Sequence, residues 1–155
     1  MKKNSKKLLL AGVACALGLS FVVSTHAVYE KELLDAAGKG DLAAVKRYIA
    51  EGANVNSEVN YTKALTEAAF GGHLDVVKWL VEHGADVNVG NVEALNDAIY
   101  GDHLDIVKYL VEHGADVNAT GMNGKTALTY ATEKDHLDIA EYLNECSRAK
   151  RRKVE

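Results

Sequence analysis

Proline is missing from all 155 residues, so no helix in this chain starts on the preset φ of a proline at its first position. Cysteine is nearly as scarce. Only Cys15 and Cys146 occur, and Cys15 lies in an N-terminal segment expected to be removed, so an internal disulfide is excluded. The remaining thiol is read as a partly buried residue closing the last helix. No Cys-x-x-Cys or His-x-x-x-His pair is present, and the histidines recur along the chain instead of clustering, which argues against a metal centre. No Ser or Cys is arranged with a histidine and an acid as a nucleophilic site would require. Gly124-Lys125-Thr126 has the ending of a phosphate-binding loop, but position 119 is Ala119 where the first glycine belongs. These absences leave a non-enzymatic chain with no cofactor and no metal.

A long apolar run is also lacking. The longest, Leu8 to Val23, has 16 residues, short of the ~18 that a membrane span needs. Before it stand Lys2, Lys3, Lys6 and Lys7, and after it Ser24, Thr25, His26 and Ala27. A basic stretch, an apolar stretch and small residues make the layout of a secretory signal peptide over 1–27, cut after Ala27. The expected location is therefore the periplasm or the medium. Lipidation at Cys15 is the rival reading, with Gly12 standing where such signals usually place a leucine; it, or an uncut signal, would tether the protein to a membrane.

Charge of one sign is thin only in the body. The whole chain has 18 basic and 22 acidic residues, a net −4. Residues 28–147 carry 9 basic and 21 acidic side chains, a net −12, and the basic excess gathers in the tail 147–155 at Arg148, Lys150, Arg151, Arg152 and Lys153. An acidic body disfavours nucleic acid as the partner. The tail is expected to be a frayed, solvated end whose cations complement the last helix dipole, in preference to a nuclear-targeting patch.

What the chain does have is repetition. GDLAAVKRYIAEGANVN at 40–56 returns as GHLDVVKWLVEHGADVN at 72–88, DHLDIVKYLVEHGADVN at 102–118 and DHLDIAEYLNEC at 135–146. Leu42, Leu74, Leu104 and Leu137 hold one place in the four copies, a period of about 32 residues that belongs to helical solenoids. In one copy, Lys63 to Phe70 reads as a first helix ended by Gly71-Gly72. Leu74 to Glu82 reads as a second, with Leu74, Val77, Leu80 and Val81 on one face and His83-Gly84 as its stop. Neither helix can bury its apolar face alone, so the copies must stack.

The residues HLDVVKWLVEHGADVN and HLDIVKYLVEHGADVN resemble ankyrin repeats, and the likeness extends over about 30–146. It implies an all-α solenoid of stacked helix-turn-helix units over 28–146, with repeats near 30–60, 61–91, 92–122 and 123–146. The family's Thr-Pro-Leu-His opening is absent. Lys63-Ala64-Leu65-Thr66, Glu93-Ala94-Leu95-Asn96 and Thr126-Ala127-Leu128-Thr129 stand in its place, which predicts weaker helix starts. Asp102 and Asp135 occupy the turn position held by Gly40 and Gly72; a positive φ there would cost on the order of 1 kcal/mol.

The resemblance also implies a function: a monomeric module that binds a protein partner through its concave face, with contacts from connector tips and from the positions before the turn. Those positions hold Gly38-Lys39, Phe70-Gly71, Tyr100-Gly101 and Glu133-Lys134. Phe70 and Tyr100 are the expected anchors, because large rings left in water are enriched in binding hot spots. Tyr61, Val92 and Met122 complete the surface at the tips. Trp79, Tyr109 and Tyr142 form a second column, suited to packing between repeats, and the short connector after Asn88 should leave a notch. A secreted effector acting on a host protein, or a periplasmic accessory factor in stress defence, are alternative settings for the same module.

Overall fold

A computed structural model describes residues 22–60, 62–88, 93–121 and 124–152. Among them the chain forms four helix pairs in a row: α1 (Val22–Gly38) with α2 (Leu42–Ala50), α3 (Ala64–Phe70) with α4 (Leu74–Glu82), α5 (Glu93–Tyr100) with α6 (Leu104–Glu112), and α7 (Ala127–Glu133) with α8 (Leu137–Arg152). The all-α solenoid is the observed architecture. Among the described residues it also holds a two-stranded antiparallel pair, β1 (Glu58–Val59) and β2 (Thr62–Lys63), with Glu58 opposite Lys63 and Val59 opposite Thr62, and an isolated antiparallel bridge between Thr120 and Thr126. The basic N-terminal stretch and Cys15 lie outside the described residues, and α1 runs through the position of the expected cut after Ala27. Among the described residues no helix is long and apolar enough to cross a membrane.

Small side chains set the spacing of the first helices. Ala36, Ala37, Ala64, Ala68, Ala69, Ala94, Ala98, Ala127 and Ala131 are all buried, which lets α1, α3, α5 and α7 approach closely. The second helices supply the bulk: Val45, Val76, Val77, Leu80, Ile106, Val107, Leu110, Ile139 and Leu143 are fully buried. The apolar stripe of α4 is wider than its spacing predicts and includes Val76, because a helix inside the stack faces three neighbours, α3, α2 and α6. Leu74 and Val81 are left only partly buried at its edges.

The helix starts are better held than the missing proline predicts. The Thr66 hydroxyl accepts from the Lys63 N–H at 3.1 Å and donates to the Lys63 carbonyl at 2.7 Å. Thr126 accepts from the Thr129 N–H at 3.3 Å. The bonds to the Lys63 and Thr129 N–H groups each satisfy a helix-start donor that has no intrahelical partner.

The turn between paired helices does require positive φ: 70° at Gly40, 76° at Gly72, 61° at Asp102 and 60° at Asp135. The expected strain at the two aspartates is therefore present in the backbone.

The end of the array differs from expectation. Where the middle copies have His83-Gly84 and His113-Gly114 the fourth has Cys146-Ser147, so no glycine stops the helix and α8 continues to Arg152. The described part of the supposed frayed tail, 147–152, is helix, and Ser147 is buried. Cys146 is partly buried but lies inside α8, not at its close. Lys150 Nζ reaches Asp116 Oδ1 of the preceding repeat at 3.5 Å. The outer faces of the terminal copies are wetter, as expected: Arg47 is exposed where Trp79 is partly buried, and Ala140 is only partly buried where Val107 is fully so.

Candidate interaction surface

Consecutive first helices present the same positions side by side. Phe70 ends α3 and Tyr100 ends α5, and the two rings stack with centroids 5.7 Å apart and planes 26° from parallel. They pack on each other, yet Phe70 remains 52% and Tyr100 49% exposed. The row is longer than the sequence pattern shows. Tyr130 of α7 comes within 6.5 Å of Tyr100, because it stands one turn before Glu133, the counterpart of Tyr100, on the same helix face. Lys134 Nζ lies 4.1 Å from the centre of the Tyr100 ring, a cation–π contact.

One turn before the rings runs a row of carboxylates, Asp35, Glu67 and Asp97, with Glu93 a turn earlier on α5. Asp35 pairs with Lys39 at 2.6 Å. Burial first, then the charges of Glu93 and Glu67, push the Asp97 carboxyl from its ordinary 3.8 up to about 6. Low local dielectric makes a carboxylate beside two others expensive to ionise. This acidic row escaped notice in the sequence, where its members looked like scattered surface charges; the signal lay in their shared place, 35, 67 and 97, in successive copies.

Histidines fix the offset between neighbouring first helices. His73 Nε2 donates to the Gly38 carbonyl at 3.0 Å and His103 Nε2 to the Phe70 carbonyl at 3.1 Å. Each ring lies over the turn of the preceding copy: a Cβ placed on Gly72 would come within 2.5 Å of His103. At Asp102 that Cβ exists, and His136 instead sets Nδ1 3.1 Å from the Asp102 carboxylate.

On the opposite side the loops are tied by asparagines. The Asn56 amide donates to the Gly84 carbonyl at 2.9 Å and accepts from the Asp86 N–H at 2.9 Å. Asn88 does the same to Gly114 and Asp116, at 3.0 Å each. Asn118 meets no such loop in the fourth copy; among the described residues its side chain accepts from the Ser147 hydroxyl at 3.4 Å.

The Trp79, Tyr109 and Tyr142 column packs against the core, as its helical position predicts. Trp79 stacks on His83 at 3.8 Å and Tyr109 on His113 at 3.9 Å. Lys78 and Lys108 reach the Tyr109 and Tyr142 rings of the following repeats at 5.8 and 5.7 Å. Burial, followed by a hydrogen bond with Cys146, pushes the Tyr142 phenol up to about 12.

Of the expected contact residues, the structure brings Phe70 and Tyr100 together on one exposed face. Tyr61, Val92 and Met122, and the short connector at 89–92, lie outside the described residues. Among the described residues no group of three or more histidines, cysteines or acids is placed to hold a metal ion.

The chain matches no curated protein. It does match the family model for ankyrin repeats (3 copies), over residues 33–121 and again over 98–153. Two overlapping matches that together take in the helix pairs, the histidine contacts and the asparagine ladder leave one assignment: the chain belongs to the ankyrin-repeat family.

Proposed function

We propose that this protein is an exported, non-enzymatic adaptor that captures a protein partner on the face of its first helices, with Phe70 and Tyr100 as anchors. Ankyrin repeats are protein–protein interaction modules, and stacked repeats offer an extended surface for that purpose. The observation that carries the reading is the half-exposed stacked pair of rings in an array whose other described aromatics pack against the core. Two adjacent rings form a rigid apolar patch that gains more from a partner than from water.

The double change Phe70→Ala with Tyr100→Ala should abolish capture of the native partner while leaving the helical circular dichroism intact. Unchanged capture would move the binding surface elsewhere.

Export rests on the layout of residues 1–27, and fractionation of native cells with an intact mass tests it. A soluble species beginning at Val28 is expected. A membrane species starting at a lipidated Cys15, or one still carrying Met1, would replace the free adaptor with a tethered one.

A further inference from the structure

Four carboxylates have a lysine partner among the described residues. Lys39 pairs with Asp35, Lys63 with Glu58, Lys125 with Glu133 and Lys150 with Asp116. Within two turns of the exposed rings, among the described residues, no lysine or arginine pairs with Glu67, Glu93 or Asp97. The three sit close enough to repel, and the Asp97 carboxyl is held well above its usual range for that reason after burial itself. A folded chain that leaves like charges together beside exposed apolar rings retains an unfavourable field that an opposite charge relieves.

The rings are also suited to a cation. Lys134 already rests 4.1 Å over Tyr100, so the ring has a face on which an ammonium settles. Phe70 has no cation over it among the described residues, and it lies on α3 one turn after Glu67.

We infer that the occupant of this face is a basic segment of the partner protein, whose Lys or Arg side chains lie along Phe70 and Tyr100 and present their charges to Glu67 and Asp97. The inference rests on the reading that the Phe70 and Tyr100 face is the binding face. A wholly apolar segment would strip water from unpaired carboxylates and return nothing. An acidic segment would meet the net −12 of residues 28–147 as well as the local row. A guanidinium suits both neighbours, since it stacks on aromatic faces and forks onto carboxylates.

The probe is acetyl-tetraarginine amide, titrated into the 15N-labelled protein with amide shifts as the readout. Shifts confined to 63–71 and 93–101 are expected. The apparent Kd should rise about tenfold in Glu67→Gln with Asp97→Asn, and it should rise with added salt as screening grows. Shifts spread over Glu82, Glu112 and Glu141, or an unchanged Kd in that variant, would overturn the inference.

Capture of the native partner separates this from the reading beneath it. If the ring variant abolishes capture and the charge variant leaves it intact, the face stands and the basic occupant falls. If neither variant alters capture, both fall. Sedimentation without peptide closes the remaining route: a dimer that dissociates when residues 148–155 are removed would make the chain's own basic helix the occupant, against a partner's segment.

Discussion

The two sides of this stack have been built to different rules. On the loop side, Asn56 and Asn88 each give and accept a hydrogen bond across a repeat boundary, and the His83 and His113 rings lie on aromatic neighbours while each Nδ1 donates to a backbone carbonyl. On the first-helix side, Phe70 and Tyr100 are left half in water, and among the described residues Glu67, Glu93 and Asp97 lie together without a lysine or arginine partner. The first helices are held to each other by their buried alanines and by the His73 and His103 bonds, which leaves their exposed ends free to carry residues that do not help folding. Stability is a property of nearest-neighbour boundaries in such arrays, so saturating the loops and the alanine-lined helix contacts is sufficient.

The largest expected effect breaks the saturated side. Asn88→Ala removes two bonds, to the Gly114 carbonyl and from the Asp116 N–H, at a cost of about 2 kcal/mol. Asn118→Ala removes one long contact to Ser147 and should cost less than about 1 kcal/mol. Urea denaturation of the two variants compares them directly. Equal losses would mean that the ladder is not what distinguishes the inner boundaries from the last.

A smaller effect, of opposite sign, sharpens the other half of the comparison. The folded-state pKa of Asp97, about 6, lies above its ordinary 3.8. Below about pH 4 the carboxyl is protonated in both states and costs nothing. As pH rises from about 4 through about 6 the unfolded chain releases the proton before the folded one, so stability falls, and above that window the full cost is present. Asp97→Asn should therefore stabilise the protein at pH 7.5 by about 1 kcal/mol, since solvent screens a partly exposed group. At pH 4 the gain should vanish. Thermal melts at the two pH values decide, and a gain independent of pH would rule out the carboxylate row as its source.

The fold was legible because periodicity survives without any partner: four leucines in register, glycine stops and apolar stripes are local signals. Phe70 and Tyr100 were legible for the same reason, standing at known offsets from the turn. The carboxylate row, Tyr130 and the contact of Lys134 with Tyr100 were not, because their grouping depends on repeats lying side by side, which brings residues about 30 positions apart into one patch. The length of α8 turned on a missing signal, Ser147 in place of glycine. The asparagine ladder lay in plain view at Asn56, Asn88 and Asn118, but its partners are backbone groups of the next copy, which have no letter in a sequence.

The smallest effect lies where both sides of the stack meet, at the turn. Asp102 and Asp135 share a positive φ near 60°, and glycine at either place relieves a non-glycine residue of a left-handed conformation. Glycine also adds freedom to the unfolded chain, which offsets part of the gain. For Asp135 the balance should favour the folded state by about 0.5 kcal/mol, or about 2 °C in Tm. Asp102 differs because its carboxylate sits 3.1 Å from His136 Nδ1, so Asp102→Gly gives up that contact and should raise Tm by less. Yet the same change opens the space that lets His103 close over Gly72, and His136 is then free to reach the Tyr100 carbonyl as His103 reaches that of Phe70. The double variant Asp102→Gly with His136→Ala tells these apart: if His136 adopts the glycine-type contact, removing it costs more in the Asp102→Gly background than in the parent, and if it does not, it costs less.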